Sequence, residues 1–212
     1  MSIRLVENNL VDPAQNVAVD TQMLDEAEAA GQAQESLRLW ECTKPVVVVG
    51  RATKVEQEVF ADRCQVYDIP IVERTSGGAT IVAGPGCLMY SVILSYELRP
   101  PLRLIDQAHE FVLGKTCDAL RKLDPRVAIS GTSDLTLDGV KFSGNSLRCR
   151  RSHLLYHGTI LYDFQLDWIT GLLRMPPRQP DYREHRSHAD FVTNFPASKD
   201  EICGVLRDAW LR

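Results

Sequence analysis

Two glycine-bearing segments hold the residues best suited to chemistry. One is Glu73-Arg-Thr-Ser-Gly-Gly-Ala-Thr-Ile-Val-Ala-Gly-Pro-Gly-Cys-Leu88. The other is Gly131-Thr-Ser-Asp-Leu-Thr-Leu-Asp-Gly-Val-Lys-Phe-Ser-Gly144, followed by Tyr156-His-Gly-Thr-Ile-Leu161. A glycine turn after a strand can bring backbone N–H groups close to an anion, because no Cβ stands between them. A lone lysine on a strand, Lys141, can bring a compact charge to the same anion. Together they predict a site for a carboxylate or a phosphate. Each half also has an ordinary reading: Gly77-Gly78 as a plain turn, and Lys141 as a solvated lysine after Asp138-Gly139. His157 alternates with Leu155 and Thr159, so a satisfied strand histidine and a catalytic base both stay open. Cys87, between Gly86 and Leu88, reads as a buried inert thiol rather than a nucleophile. Cys149 lies between Arg148 and Arg150, which would lower its pKa only if they shared its face of a strand.

The elements that must position these residues are legible from periodicity. Ile3 to Glu7 predicts a short strand. Asp12-Pro13 predicts a capped helix start, with Gly31 beyond its end. Leu37 to Cys42 and Val46 to Gly50 read as strands, the valine run as one buried on both faces. Glu56 to Tyr67 has the pattern of one amphipathic helix. Ile71 to Arg74, Ala79 to Val82 and Leu88 to Ser95 predict strands around the glycine turns, and Leu104 to Leu123 predicts the longest helix. Beyond Pro125, Asp134 to Leu137 and the strand from Val140 form a hairpin about Asp138-Gly139. Leu154 to Tyr162 is a further strand. Asp167 to Arg174 and Lys199 to Trp210 are helices, with an irregular stretch from Met175 to Arg186. The fold class expected is α/β: a single domain with a mixed, largely antiparallel sheet flanked by helices. Neither G-x-G-x-x-G nor G-K-S/T is present, so the phosphate loops of doubly wound nucleotide folds are not expected.

Apolar residues make up 44% of the 212-residue chain, enough for a full core, and the net charge of -4 argues against a nucleic-acid-coating protein. Six cysteines without a C-x-x-C pair argue against zinc and against a disulfide framework, and suggest a reducing compartment. No apolar run has signal-peptide or membrane-span length, so a cytoplasmic protein without membrane or nucleic-acid partners is expected. Arg148, Arg150, Arg151, Arg178, Arg183 and Arg186 form a local basic excess, read either as solvated surface or as a docking face.

In ordered blocks, the chain resembles the biotin/lipoate protein ligase superfamily, and within it the lipoate–protein ligase A and octanoyltransferase-like catalytic domains. Asp12-Pro13 with Asn16-Val-Ala-Val-Asp20 is similar to the family's D-P-x-x-N-x-A-x-E/D helix, and Val47 to Arg51 to its V-V-I-G-R strand end. Arg74-Thr-Ser-Gly-Gly78 is similar to R-x-S-G-G, Gly131-Thr-Ser-Asp134 to G-x-N-D, Lys141-Phe-Ser-Gly144 to K-x-S-G, and His157-Gly-Thr-Ile-Leu161 to H-G-T-L-L.

The resemblance implies one catalytic domain over residues 1–212, without the small C-terminal accessory domain that many members carry. It implies ATP-dependent activation of lipoate or octanoate to an acyl-adenylate, with Mg²⁺. The acyl group would pass to a lysine of a lipoyl domain of a 2-oxoacid dehydrogenase or of the glycine cleavage H protein. A separate accessory-domain protein would be a possible partner. Lys141 would be catalytic, touching both carboxylate and α-phosphate. Arg74, Ser76, Gly77, Gly78, Ala79, Thr80, Ile81, Val82, Asp134, Ser143, Gly144, His157, Gly158 and Thr159 would bind substrate or ATP, with no protein-held metal. Ile81, Val82 and Ile160 would line a groove for the acyl tail, worth up to ~0.8 kcal/mol per buried CH₂.

Three positions depart from the family pattern: Ala79 stands for a third glycine, Ala83 for a histidine, and Ser133 for the Asn of G-x-N-D. Gly84-Pro-Gly-Cys-Leu88 is closer to octanoyl transferases, which use a cysteine and no ATP. Arg174 to Tyr182 and Arg126 to Asp134, where such transferases place that cysteine, contain none. An ATP-independent acyl transferase is therefore the second expectation, and a non-catalytic carrier-binding protein the third.

Overall fold

A computed structural model describes residues 3–211, so positions 1, 2 and 212 at the ends of the expected domain lie outside the described residues. β1 (Arg4–Val6) leads into α1 (Pro13–Ala29), where Asp12 accepts the Gln15 N–H at 2.8 Å and Pro13 takes the first turn. The buried face of α1 carries two polar residues, Asn16 and Asp20, among apolar ones. β2 (Ser36–Trp40) and β3 (Val46–Val49) follow, the latter with all four valines buried. Then come α2 (Val55–Glu58), α3 (Ala61–Val66), β4 (Ile71–Glu73), β5 (Ile81–Ala83), β6 (Cys87–Ser95) and α4 (Ile105–Arg121). The second half runs β7 (Val127–Ser130), β8 (Asp134–Leu137), β9 (Val140–Cys149), β10 (His153–Leu161), α5 (Asp167–Leu172), α6 (His188–Phe191) and α7 (Lys199–Leu211).

The strands form two sheets. The larger has the order β1-β2-β6-β10-β9-β8-β7, parallel between β1 and β2 and antiparallel elsewhere. The smaller, β4-β3-β5, is also mixed. The α/β fold with mixed, largely antiparallel strands flanked by helices is as the sequence predicts. Strand alternation divides the core. Tyr90, Val92, Leu94, Leu154 and Tyr156 join an apolar cluster with Val112, Leu120, Leu206 and Trp210 of α4 and α7. On the opposite face Ile93 and Leu155 meet Val19, Met23, Leu24 and Ala27 of α1. None of the described helices is long and apolar enough to cross a membrane.

The single helix expected over Glu56 to Tyr67 is instead two short ones. Val59 forms a bridge with Leu173, and the Phe60 N–H donates to Leu172 O at 2.8 Å, so tertiary pairing interrupts the helix. The strand expected from Ala79 begins at Ile81, because Ala79 and Thr80 belong to the glycine turn. β7, an edge strand with Ile129 exposed, and the one-turn α6 carry too weak a pattern to be read from sequence.

Candidate functional site

Lys141 is aimed by an irregular strand pairing. Asp138 and Gly139 both have left-handed backbone (φ 49 and φ 78), as a tight two-residue hairpin requires. Leu135 lies opposite Ser143 while Thr136 lies opposite Lys141, so Phe142 is an extra residue in β9. In a regular strand Lys141 and Gly144 would point to opposite faces; the bulge brings them to the same side. A Cβ on Gly144 would stand 2.9 Å from Lys141 Nζ, so the ammonium occupies space that only glycine leaves free. Lys141 Nζ pairs with Asp134 Oδ1 at 2.7 Å, and the Tyr182 hydroxyl donates to Asp134 Oδ2 at 2.7 Å. Burial first, and then the charge of Asp134, push the Tyr182 phenol well up, so it stays a proton donor.

Asn145 holds the other end of this corner. Its backbone N–H and its Nδ2 both donate to Ser133 O, at 3.0 and 2.9 Å, which fixes the turn just before Asp134. Its Oδ1 accepts from the Tyr90 hydroxyl. Opposite Asn145 on β10 sits Gly158, where a Cβ would fall 1.8 Å from Asn145 Oδ1. Sequence reasoning missed Asn145; the available signal was Gly158, a glycine in a strand interior that often marks close approach by another group.

The glycine turn is held from within. Arg74 was expected to line a nucleotide. It borders the polar cavity, but its guanidinium donates to Val48 O (3.1 Å), Gly77 O (2.7 Å), Ala79 O (2.9 Å) and Ser76 Oγ (3.2 Å). These donors are spent on the turn itself, so Arg74 shapes the turn rather than offering a free charge. Burial lowers its pKa to about 10, and it stays charged at neutral pH. Gly78 has φ +91 and requires glycine, whereas Gly77 has open space around a would-be Cβ. Gly50 was not singled out, yet its Cβ would lie 2.3 Å from Gly78 O.

Behind the turn runs a row of polar residues set by strand register. Arg38 of β2 and His157 of β10 both lie opposite Ser91 of β6, and His157 lies opposite Ser146 of β9. Asp20 of α1 accepts from Arg38 Nη1 (3.0 Å), Ser91 Oγ (2.6 Å) and His157 Nδ1 (3.0 Å). On its other side, His157 Nε2 lies 2.6 Å from the Ser76 hydroxyl, within hydrogen-bond distance. Ser146 Oγ donates to Gly77 O at 2.9 Å. The order serine–histidine–aspartate is that of a nucleophilic triad, but Ser76 is wholly buried and lines neither of the two cavities flanking Lys141. His157 and Ser76 thus connect Asp20 to the glycine turn.

Burial alone would raise the Asp20 carboxyl; the His157 hydrogen bond and charge, then Arg38 and Ser91, outweigh it and hold Asp20 below its ordinary 3.8. Its contribution to stability is therefore full above that ordinary value and lost as pH falls through the lower folded value. Asp20→Ala, which leaves buried Arg38 without its carboxylate, should cost about 3–5 kcal/mol in urea unfolding. A loss under 1 kcal/mol would show that the row is not a stabilising unit.

Two cavities meet at Lys141. One, of ≈120 Å³, is mostly apolar and reaches Val82, Leu161, Ile169, Leu173 and Phe191. The other, of ≈380 Å³, is more polar and takes in Ser133, Asp134, Asn145, Ser146, His157 and Arg178. Ala79, Thr80, Ile81, Lys141, Gly144 and Thr159 border both. Of the other residues named from sequence, Val82 and Ser143 border the apolar cavity, and Gly78 and Gly158 the polar one. Gly77 borders neither, and Ile160 is packed in the core rather than in a groove. Ala83 is fully buried in the core.

No described cysteine borders either cavity. Cys87 is fully buried, and burial drives its thiol far above the usual range, with the neighbouring Cys42 and Glu41 adding to the shift. Among the described residues, no group of three His, Cys, Asp or Glu could hold a metal ion. The basic excess does not make one patch. Arg183 is buried, Arg186 donates to main-chain carbonyls of Tyr182, Arg183 and Gly139, and Arg150 pairs with Asp25 at 2.8 Å. Arg148 lies at the far end of β9, roughly 23 Å from Lys141 at strand rise, and Arg150 follows just beyond the strand.

The model of the lipoyl protein ligase A/B catalytic domain family matches residues 12–201, and the chain belongs to that family. It is 26% identical over 172 residues to lipoate–protein ligase 1 of Staphylococcus aureus, covering 80% of this chain and 49% of that protein. It is 23% identical over 195 residues to the lipoate–protein ligase LplJ of Bacillus subtilis, covering 91% and 56%. The octanoyltransferase LipM of Anoxybacillus flavithermus is 26% identical over 197 residues, covering 82% and 70%. The chain thus spans about half the length of the two ligases. In fold it is similar to a bipartite lipoate protein ligase of Thermoplasma acidophilum, with TM-score 0.82, 20% identity and coverage of 99% and 82%. It is also similar in fold to a lipoate–protein ligase A bound with ATP, with TM-score 0.76, 20% identity and coverage of 99% and 84%.

Proposed function

We propose that this chain activates lipoate or octanoate with ATP as an acyl-adenylate and passes the acyl group to a lysine of a lipoyl acceptor domain. The observation that carries this reading is the position of Lys141 between an apolar and a polar cavity, with its ammonium held by Asp134. Adenylation brings a carboxylate against an α-phosphate, and a fixed positive charge between them offsets the repulsion. The acyl tail takes the apolar side, and the nucleotide takes the polar side. Magnesium would enter on the phosphates of ATP, as it does where few carboxylates are offered. Both oxygens of Asp134 are already engaged by Lys141 and Tyr182. The relatives include ligases and octanoyltransferases alike. Among the described residues no cysteine borders either cavity, which favours the ligase, since a transferase without ATP needs a nucleophile to carry the acyl group.

Pyrophosphate release from ATP, measured with lipoate, octanoate and biotin in turn, tests the proposal. Release with lipoate or octanoate is expected. Acyl transfer from an acylated carrier without any pyrophosphate would place the chain with the transferases. Cys87→Ser and Cys149→Ser should each keep most of the activity. An acyl thioester on either residue, found by mass spectrometry and lost with turnover in the serine variant, would overturn the ligase reading.

A further inference from the structure

Arg183 is 4% exposed, in the wall of the apolar cavity, and forms no ion pair among the described residues. Its Nε donates to Arg186 O at 3.0 Å. Its Nη2 faces Met175 Sδ at 3.4 Å, a weak acceptor, and His188 Nδ1 at 3.3 Å. Its Nη1 makes no hydrogen bond among the described residues, and its guanidinium lies 4.5 Å above the ring of Phe191. Guanidinium only donates, so His188 Nδ1 accepts and its Nε2–H donates to Arg174 O at 3.1 Å, which fixes a neutral tautomer. An enclosed arginine bonded only to neutral groups is costly unless something anionic completes its surroundings.

No other charge of the cavity wall forms an ion pair with Arg183 among the described residues. Lys141, Arg174 and Arg183 are its cations, and Glu58 its one carboxylate. Glu58 Oε2 already accepts the Thr80 N–H at 2.7 Å. Asp134 is near enough to attract Arg183, but Lys141 and Tyr182 occupy its two oxygens. Lys141 and Arg183 therefore border one cavity, and among the described residues only Lys141 of the two forms an ion pair with a protein carboxylate.

We infer that Arg183 is a second substrate-binding cation of this site and takes an anionic oxygen of the bound substrates. This rests on the reading of the apolar cavity as the acyl site. The anion is either the carboxylate of the acyl substrate or the α-phosphate of the nucleotide. The position of Arg183 on the apolar cavity, and not on the polar one, favours the carboxylate.

Calorimetric titration of the full chain with octanoate, octanamide and ATP, for wild type and Arg183→Met, tests the inference. Methionine keeps much of the length and the apolar contact with Phe191 but removes the charge. The expected result is at least a tenfold loss of octanoate affinity in Arg183→Met, with octanamide affinity within twofold of wild type. A tenfold loss for ATP, with octanoate unchanged, would assign the phosphate as the anion. Unchanged affinity for both, or equal losses for octanoate and octanamide, would overturn the inference and leave Arg183 a packing residue. Should Arg183→Met not fold, the guanidinium ¹⁵N resonances of Arg183 in the wild type decide: a shift with octanoate or ATP but not octanamide is expected, and no shift with either anion rejects it. Wild type that binds neither octanoate nor octanamide would remove the acyl-site reading and this inference with it. Binding that Arg183→Met leaves unaltered would remove the Arg183 assignment alone.

Discussion

Lys141→Ala should lower acyl-transfer turnover by about 10³-fold or more while the protein remains folded. Loss of one preorganised charge or donor at a reacting centre typically costs 10²–10³ in rate, and under the proposed adenylation one ammonium would serve both carboxylate and phosphate. The fold should survive, because Lys141 is partly exposed and Asp134 keeps its bond from Tyr182. Lys141→Arg should not rescue. The ammonium fits a space defined by the missing side chain of Gly144, whose Cβ would be only 2.9 Å from Nζ, and a planar guanidinium needs more room. The check is turnover together with a thermal melt. Turnover within threefold of wild type in a folded Lys141→Ala protein would remove Lys141 from the mechanism.

Gly50→Ala should be nearly as damaging, although Gly50 borders neither of the two cavities that meet at Lys141. Its new methyl would meet Gly78 O at 2.3 Å and Gly77 C at 3.2 Å, and both are backbone atoms. The turn must move, yet Arg74 ties Gly77 O and Ala79 O to the end of β3 through Val48 O. Overpacking of this kind costs about 1–3 kcal/mol. A displacement near 1 Å at a positioning element can cost about 10²-fold in rate. Gly77→Ala is the control: nothing lies within 4 Å of its Cβ and its φ is not positive, so both stability and activity should hold. Equal effects of the two substitutions would mean that the turn tolerates movement.

Residue order made much of this site legible. Asp12-Pro13, the valine run and the Asp138-Gly139 hairpin signal their elements through local chemistry, and the structure has each of them. What stayed hidden depends on distant partners. The break between α2 and α3 is imposed by Leu172 and Leu173. The inward turn of Arg74 depends on carbonyls of β3 and the loop, and an arginine in a glycine motif looks the same in sequence whether it serves a ligand or its own backbone. The extra residue at Phe142 is likewise invisible to a period-two pattern, because bulging is decided by the partner strand. The six arginines illustrate the limit of counting charge. Strand direction and side-chain stacking separate them, and one was buried beside the apolar cavity.

The polar row centred on Asp20 also constrains how the chain can be made. Asp20 and Arg38 are synthesised early, but His157 and Ser91 come later, and His157 lies on the last strand of the larger sheet. Until β10 is present, β6 lacks one neighbour and Asp20 lacks the partner that holds its charge most strongly after desolvation. An emerging N-terminal fragment therefore cannot close this layer, and contacts of such long sequence separation are costly in chain entropy. Folding is expected to wait until the C-terminal third has left the ribosome and then to proceed as one cooperative step, with no active intermediate on the way.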